Sequence, residues 1–181
     1  MRAREITARR YAKALHALAR ETGATDAVGR ELDAYRGVWA ADAQLRDVLT
    51  RPWLKPADRR SIAVAVAQQA GAGQPTQRFV GLLAERGRLD HLSEIVAAYR
   101  ALVDEDQGQA RAQVRTRVPL TVEEKRQLGA RLEQAVGKRI IIEEQADPTL
   151  LGGFVAQIGS FVVDGSLDGQ LARMRERLAR G

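Results

Sequence analysis

Cysteine is absent from this 181-residue sequence, and there are only two histidines. The lack of cysteine excludes a disulfide-stapled scaffold, a thiol nucleophile and a zinc or iron–sulfur site with cysteine ligands. The two histidines, His16 and His91, lie far apart in the chain, so a structural zinc site is not expected. Aromatic residues make up only 4% of the chain, and the core must therefore consist mainly of leucine, valine, isoleucine and alanine.

Long apolar runs are also missing. Residues 61–77 carry no charge, but four glutamines interrupt them. No stretch approaches the roughly 20 apolar residues that span a bilayer. The basic N-terminal ten residues are not followed by the apolar segment of a secretory signal. We therefore expect a protein that is soluble, or that is attached to a membrane only through its partners.

Basic residues outnumber acidic residues by 29 to 23, which gives a net charge of +6 and a pI near 10.3. Such a balance is typical of proteins that bind nucleic acid, an anionic membrane or an acidic protein. Acidic residues are interspersed throughout, however, so most of the charge is expected on mixed, solvated faces. The aromatic residues do not alternate with arginines as they do in grooves for single-stranded nucleic acid. A nucleic-acid- or ribosome-associated adaptor is the alternative function that the composition leaves open.

Apolar residues in the first hundred positions recur at helical spacing. On the first helix, Tyr11, Leu15 and Leu18 form a stripe together with three alanines. Further helices are predicted at about 25–40, 43–49, 56–71, 75–87 and 89–106. Six helices joined by short loops predict a compact bundle over residues 1–105.

The periodicity changes after Gly108, where apolar and polar residues alternate as in a half-exposed strand over 111–118. Thr121 and Glu124 form a capping box, which predicts a helix that continues to Gly137. Short strands are predicted at 140–142, 154–158 and 161–163. Ser166 is a candidate N-cap for a last helix with an apolar seam. The fold class is thus mainly α, with an N-terminal six-helix bundle and a small C-terminal α+β domain over residues 106–181.

No constellation of catalytic residues emerges. Gly152 and Gly153 match neither a phosphate-binding loop nor a dinucleotide fingerprint, and Ser166 lacks the spacing of a nucleophile elbow. His16 lies off the apolar stripe and His91 begins a helix, so both are expected in surface or capping positions. We therefore expect no catalytic, cofactor-binding or metal-binding residues.

Two predicted helices carry a second patch beside their main apolar stripe, and two adjacent patches form a groove for a partner helix. The alternative is that both patches pack inside the bundle. The patch on the first helix consists of Ala14 and Ala17. The patch on the fifth helix consists of Thr76, Val80 and Ala84. The candidate partner-binding residues are Tyr11, Ala14, Ala17, Thr76, Val80 and Ala84.

Several short motifs, taken in order, resemble the δ subunit of F-type ATP synthases, the family of the oligomycin-sensitivity-conferring protein. The first is Arg-Tyr-Ala-Lys-Ala-Leu at 10–15, and the second is Leu-Leu-Ala-Glu-Arg-Gly-Arg-Leu at 82–89. The C-terminal motifs are Asp-Pro-Thr-Leu-Leu-Gly-Gly at 147–153 and Val-Asp-Gly-Ser-Leu at 163–167. Each motif alone is weak, but together they span nearly the whole chain.

The resemblance implies a six-helix N-terminal domain, a small C-terminal α/β domain and a non-catalytic stator role. The N-terminal domain would receive N-terminal helices of the ATP synthase α subunits, and the C-terminal domain would receive the C-terminal ends of the b subunits. The chain would then be peripheral on the cytoplasmic face of a bacterial inner membrane, held there only through the complex. No nucleic acid and no cofactor is implied.

Overall fold

The computed structural model describes residues 2–51, 53–159 and 161–180. The chain divides into two compact units, Met1–Val103 and Asp104–Gly181. Helices dominate the first unit, whereas the second combines strands with helices, so the predicted fold class is confirmed. The sequence predicts a domain boundary between residues 105 and 106. The structure divides the chain two residues earlier, between Val103 and Asp104, in the last turn of the sixth helix.

The N-terminal unit is built from helices only, over the part of it that the structure describes. Their bounds are α1 (Arg2–Glu21), α2 (Thr25–Ala41), α3 (Ala43–Thr50), α4 (Pro56–Gln69), α5 (Gln74–Glu85), a short 3₁₀ turn (Leu89–His91) and α6 (Leu92–Asp106).

Local sequence signals explain where several of these helices begin and end. The Asp42 carboxylate accepts the Leu45 N–H at 2.9 Å and so caps the start of α3. Pro56 and Pro75 stand in the first turns of α4 and α5, where a missing N–H costs nothing. Gly87 has a φ of +63°, the left-handed conformation that stops the chain after α5.

Large apolar side chains fill the centre of the bundle. Tyr35, Tyr99, Leu32, Leu83, Leu92 and Ile95 are the largest of the fully buried side chains. The Tyr99 hydroxyl donates a hydrogen bond to the Thr25 carbonyl at 3.0 Å, so its polar atom is satisfied. Burial, with the negative charges of Asp26 and Glu31, raises the pKa of Tyr99 to about 12.

The structure corrects the placement of both histidines. His16 and His91 are buried, not at the surface, and the His16 ring meets the Tyr99 ring edge to face, with 5.8 Å between the centroids. The reason is that α1 has neighbours on more than one side, so positions beside its stripe are also covered. Leu18, conversely, was assigned to the buried stripe and is exposed.

The C-terminal unit contains a four-stranded sheet and two further helices. Its elements are β1 (Gln109–Thr116), α7 (Val122–Val136), β2 (Arg139–Ala146), β3 (Phe154–Ile158), β4 (Phe161–Asp164) and α8 (Leu167–Arg180). The strand order is β2-β1-β3-β4, with β1 and β2 parallel and the other pairs antiparallel. Helix α7 is the crossover that parallel neighbours require.

A small core lies between the sheet and α7. The predicted alternation of β1 is present, because Ala112, Val114 and Thr116 are buried while Gln113 and Arg115 are exposed. The other members of this core are Leu128, Leu132 and Ala156. The predicted capping box is confirmed as well, with the Thr121 hydroxyl and the Glu124 carboxylate each accepting a backbone N–H of the other residue.

Ion pairs supplement this core. The Arg111 guanidinium contacts the carboxylates of Asp104, at 2.6 Å, and Glu143, at 2.8 Å. The Lys125 ammonium and the Leu120 N–H both contact the Glu144 carboxylate and hold its pKa below the ordinary value. These ion pairs link α7, β1 and β2 beside the apolar core.

None of the helices in the described ranges combines the length and the apolar character that crossing a membrane demands.

Candidate helix-binding groove

An open groove of about 660 Å³ lies on the N-terminal unit between α1 and α5. Side chains from these two helices form its walls, and one arginine follows α5. The lining residues are Thr7, Arg10, Tyr11, Ala14, Leu15, Leu18, Pro75, Arg78, Phe79, Leu82 and Arg88.

Each helix contributes one face to the groove, since the lining residues recur at three- and four-residue spacing. Leu15 and Phe79 are buried and form the floor, whereas Leu18 and Leu82 are exposed and form the walls. The Tyr11 ring packs edge to face on the Phe79 ring, with 6.4 Å between the centroids. The result is an apolar trough whose length follows the helix axes.

The rim of the groove is positively charged. Arg10, Arg78 and Arg88 are the charged residues that line it, and no acidic residue lines it within the described part of the chain. An apolar floor with guanidinium groups at its edge favours an amphipathic helix that carries acidic or polar residues beside its apolar face.

Of the six candidate residues, the structure places two in this groove. Tyr11 and Ala14 line it, and Ala14 is exposed where a partner side chain would approach. Ala17 is also exposed, but it is not among the lining residues.

The other three candidates face inward. Thr76, Val80 and Ala84 are buried in the helical unit, so they do not line the exposed groove. The reason is that α5 packs against α1, α2 and α4, which leaves only a narrow strip of it free. The second patch of α5 therefore packs inside the bundle, which is the alternative that the sequence left open.

The remaining groove residues come from stripes that the sequence assigned to the core. Phe79, Leu82 and Leu18 stand at core spacing, and only the outer edge of each stripe reaches the surface. The width of the apolar stripes on α1 and α5 predicts a groove. Which edge of a stripe stays exposed depends on the neighbouring helices, and the sequence does not show where those helices pack.

The groove presents apolar surface and cations and no pairing of a nucleophile with a base. Within the described ranges, no group of three or more histidine, aspartate or glutamate residues is placed to hold a metal ion. The arrangement is that of a binding surface.

Comparisons with known proteins agree with this character. A sequence model of the family described as "ATP synthase delta (OSCP) subunit" matches residues 7–178. The "ATP synthase subunit delta" of Syntrophobacter fumaroxidans is 39% identical over 176 residues, covering 97% of this chain and 96% of that protein. The protein of the same name from Myxococcus xanthus is 38% identical over 173 residues, covering 94% and 95%.

A solved structure supports the fold. A chain in the cryo-EM structure of the Toxoplasma gondii mitochondrial ATP synthase hexamer matches with a TM-score of 0.71 and 18% identity. The match covers 95% of this chain and 97% of that one.

These matches confirm the family that the sequence motifs indicated, and they lend no support to a nucleic-acid- or ribosome-associated adaptor. The family consists of structural subunits, so the expectation that this chain is not an enzyme is also confirmed. The chain belongs to the ATP synthase delta (OSCP) subunit family, and it is a non-catalytic stator subunit of the ATP synthase.

Proposed function

We propose that this chain joins the catalytic head of the ATP synthase to the peripheral stalk through two separate attachments. The N-terminal unit receives N-terminal helices of the α subunits, and the C-terminal unit receives the C-terminal ends of the b subunits. This linkage resists rotor torque during proton-driven ATP synthesis. It also holds the chain at the cytoplasmic face of a bacterial inner membrane.

The groove between α1 and α5 is the observation that carries the head-side attachment. An amphipathic helix laid along it would cover Tyr11, Leu18 and Leu82, which are only partly shielded from water. Apolar burial contributes about 25 cal/mol per Å², from which the cost of ordering the partner is subtracted. The arginine rim would then select the orientation of the helix.

Two attachments make the linkage bivalent. When one site releases its partner, the other keeps the chain at a high effective concentration, so the first site rebinds before the chain leaves the complex. This is the behaviour that a link under torque requires, and it needs no cofactor.

The test is a calorimetric titration of the full chain with a peptide of the α-subunit N-terminal helix, at two temperatures and two salt concentrations. We expect saturable binding with a negative heat-capacity change, because apolar surface is buried. Binding that is lost steeply with salt and shows no heat-capacity change would instead indicate charge attraction to the arginines without apolar burial, and it would overturn the groove as the site.

A matched pair of variants locates the site. Ala14 and Ala17 are both exposed on α1, but only Ala14 lines the groove. Ala14→Glu places a charge against the apolar face of the bound helix and should weaken peptide binding about tenfold or more, whereas Ala17→Glu should leave it within about twofold. Equal affinities for the two variants would overturn the groove assignment.

A further inference from the structure

The first turn of α8 is firmly attached to the C-terminal unit. The Ser166 hydroxyl accepts the Gly169 N–H at 3.0 Å, which confirms the predicted N-cap. The Asp164 carboxylate accepts the Ser166 N–H at 2.9 Å, and the Asp168 carboxylate accepts the Leu151 N–H at 3.0 Å. The direction of the helix is therefore fixed at its start.

Beyond that turn, α8 lacks cover from the described part of its own chain. Residues 171–178 are all exposed, although the helix carries an apolar seam. The seam residues and their exposed fractions are Leu167 (48%), Leu171 (49%), Met174 (59%) and Leu178 (81%). A 14-residue helix without packing is only marginally stable in water, so this seam requires a partner to hold it.

The spacing of the seam indicates what kind of partner fits. Its residues are four, three and four positions apart, which is the alternation of the two apolar positions in a heptad. At 100° per residue they fall within an arc of about 60°, narrower than the broad apolar face of a helix that lies in a membrane surface. Helix α8 also lacks the aromatic residues typical of membrane-surface helices. The seam is therefore suited to another helix.

The charges beside the seam indicate the chemistry of that helix. Arg175 and Arg177 lie about 80° to either side of the seam, at the positions that form interhelical ion pairs in coiled coils. Glu176 lies on the opposite face of α8. Asp168 also flanks the seam, but its carboxylate is engaged by the Leu151 N–H.

We propose that the α8 seam docks an acidic amphipathic helix of about two heptads, with glutamate or aspartate beside its own apolar seam. This inference rests on the proposed attachment of the C-terminal unit to the peripheral stalk, and it specifies the surface and the chemistry of that contact. Docking removes Leu171, Met174 and Leu178 from water and stabilises α8 by packing.

The experiment uses the full chain and a labelled synthetic peptide of three heptads, with leucine in the seam and glutamate at the flanking positions. Fluorescence anisotropy measures binding at low and high salt. A second peptide has lysine in place of every glutamate. We expect the acidic peptide to bind with an affinity that falls as salt rises, and the basic peptide to bind at least tenfold more weakly.

Two substitutions to serine form the matched pair. Met174→Ser removes a seam side chain and should weaken binding of the acidic peptide about tenfold. Ala172→Ser changes an exposed residue outside the seam, about 140° away from Leu167, and should leave binding within about twofold. Circular dichroism of both free variants checks that they retain the same helix content.

Several results would overturn the proposal. These are equal binding of the two peptides, equal binding by the two variants, or a dimer of this chain in sedimentation that Met174→Ser dissociates. Sedimentation of the chain with anionic vesicles, abolished by Met174→Ser, would assign the seam to a lipid surface instead.

A second titration, with the C-terminal half of the b subunit, separates this inference from the proposed function. Undiminished binding of b by Met174→Ser would reject the α8 seam and leave the stalk attachment standing. Failure of b to bind the unaltered chain would reject the attachment itself.

Discussion

The cores of the two units of this chain are built from different kinds of side chains. In the helical unit, tyrosine, leucine and isoleucine side chains interlock at the centre, and even both histidines are covered. Among the described residues of the C-terminal unit, Ala112, Val114 and Ala156 are the fully buried apolar ones, and arginine and lysine ion pairs join its elements. Apolar burial supplies most of the stability of a domain, so the helical unit has the larger reserve.

The difference teaches how each unit meets a partner. The helical unit has a large apolar core, and the groove between α1 and α5 lies open beside it. The C-terminal unit instead exposes an apolar helix, α8, that its own small core does not reach. In the proposed attachments, the partner of the helical unit would enter an existing groove, whereas the partner of the C-terminal unit would cover α8.

The largest effect is expected from a cavity in the helical core. Leu32 is fully buried, and Leu32→Ala should lower the free energy of unfolding of the helical unit by about 3 kcal/mol. Urea unfolding followed by tryptophan fluorescence measures this unit alone, because both tryptophans, Trp39 and Trp53, lie within it.

The exposed Leu18 of the same unit provides the control, since Leu18→Ala should change the same transition by about 1 kcal/mol or less. If Leu32→Ala destabilised the β-sheet as much as the helices, the two units would unfold together and the contrast between their cores would not hold.

Replacing a glycine that has a positive φ tests the stability of the C-terminal unit in the same way. Gly153 has a φ of +78°, and a Cβ there would lie 2.4 Å from the Gly165 carbonyl oxygen. Gly153→Ala should cost about 2 kcal/mol or more, whereas Gly137→Ala, at a φ of +71° in open space, should cost about 1 kcal/mol. Hydrogen exchange of the β1 amides measures both, and equal costs would mean that the chain relaxes around Gly153.

The smallest expected effect is a pH dependence. Five carboxyl groups of the C-terminal unit have lowered pKa values because hydrogen bonds favour their charged forms. They are Glu123, Glu124, Glu144, Asp147 and Asp164. A lowered pKa stabilises the folded state above the unfolded value, about 4 for these groups, and this contribution is lost as the pH falls through the folded value.

The protection factors of the β1 amides, which compare exchange with the intrinsic rate at the same pH, should therefore fall on acidification before the tryptophan fluorescence of the helical unit changes. Glu144→Gln should reduce this acid sensitivity, since it removes the carboxylate that Lys125 and the Leu120 N–H stabilise. An unchanged pH profile for Glu144→Gln would show that the other carboxyl groups dominate.

Much of the fold follows from local sequence. The period of the apolar residues predicts the helices of the first unit, and the alternation in β1 predicts its buried and exposed faces. Capping by Thr121 and Ser166 marks the starts of α7 and α8. These features depend on neighbours within a few residues, so the sequence carries the information directly.

The candidate site was only partly predictable, because exposure depends on packing between distant helices. Helices α1 and α5 are adjacent, and Tyr11 and Ala14 line the groove between them, so their role in partner binding stays a prediction. Val80 and Ala84 were assigned to the wrong side of α5, since helical spacing defines a stripe but not which of its edges the neighbouring helices cover.

The strand order has a consequence for solubility. β2 and β4 are the edges of the sheet, and each could in principle pair with a strand of another molecule. β4 has only four residues, which is too short to serve as a template. β2 is longer but carries charges at Arg139, Glu143 and Glu144, and charged side chains on an edge discourage strand addition. These two edges therefore disfavour β-aggregation of the free chain, in which the apolar seam of α8 is still exposed to water.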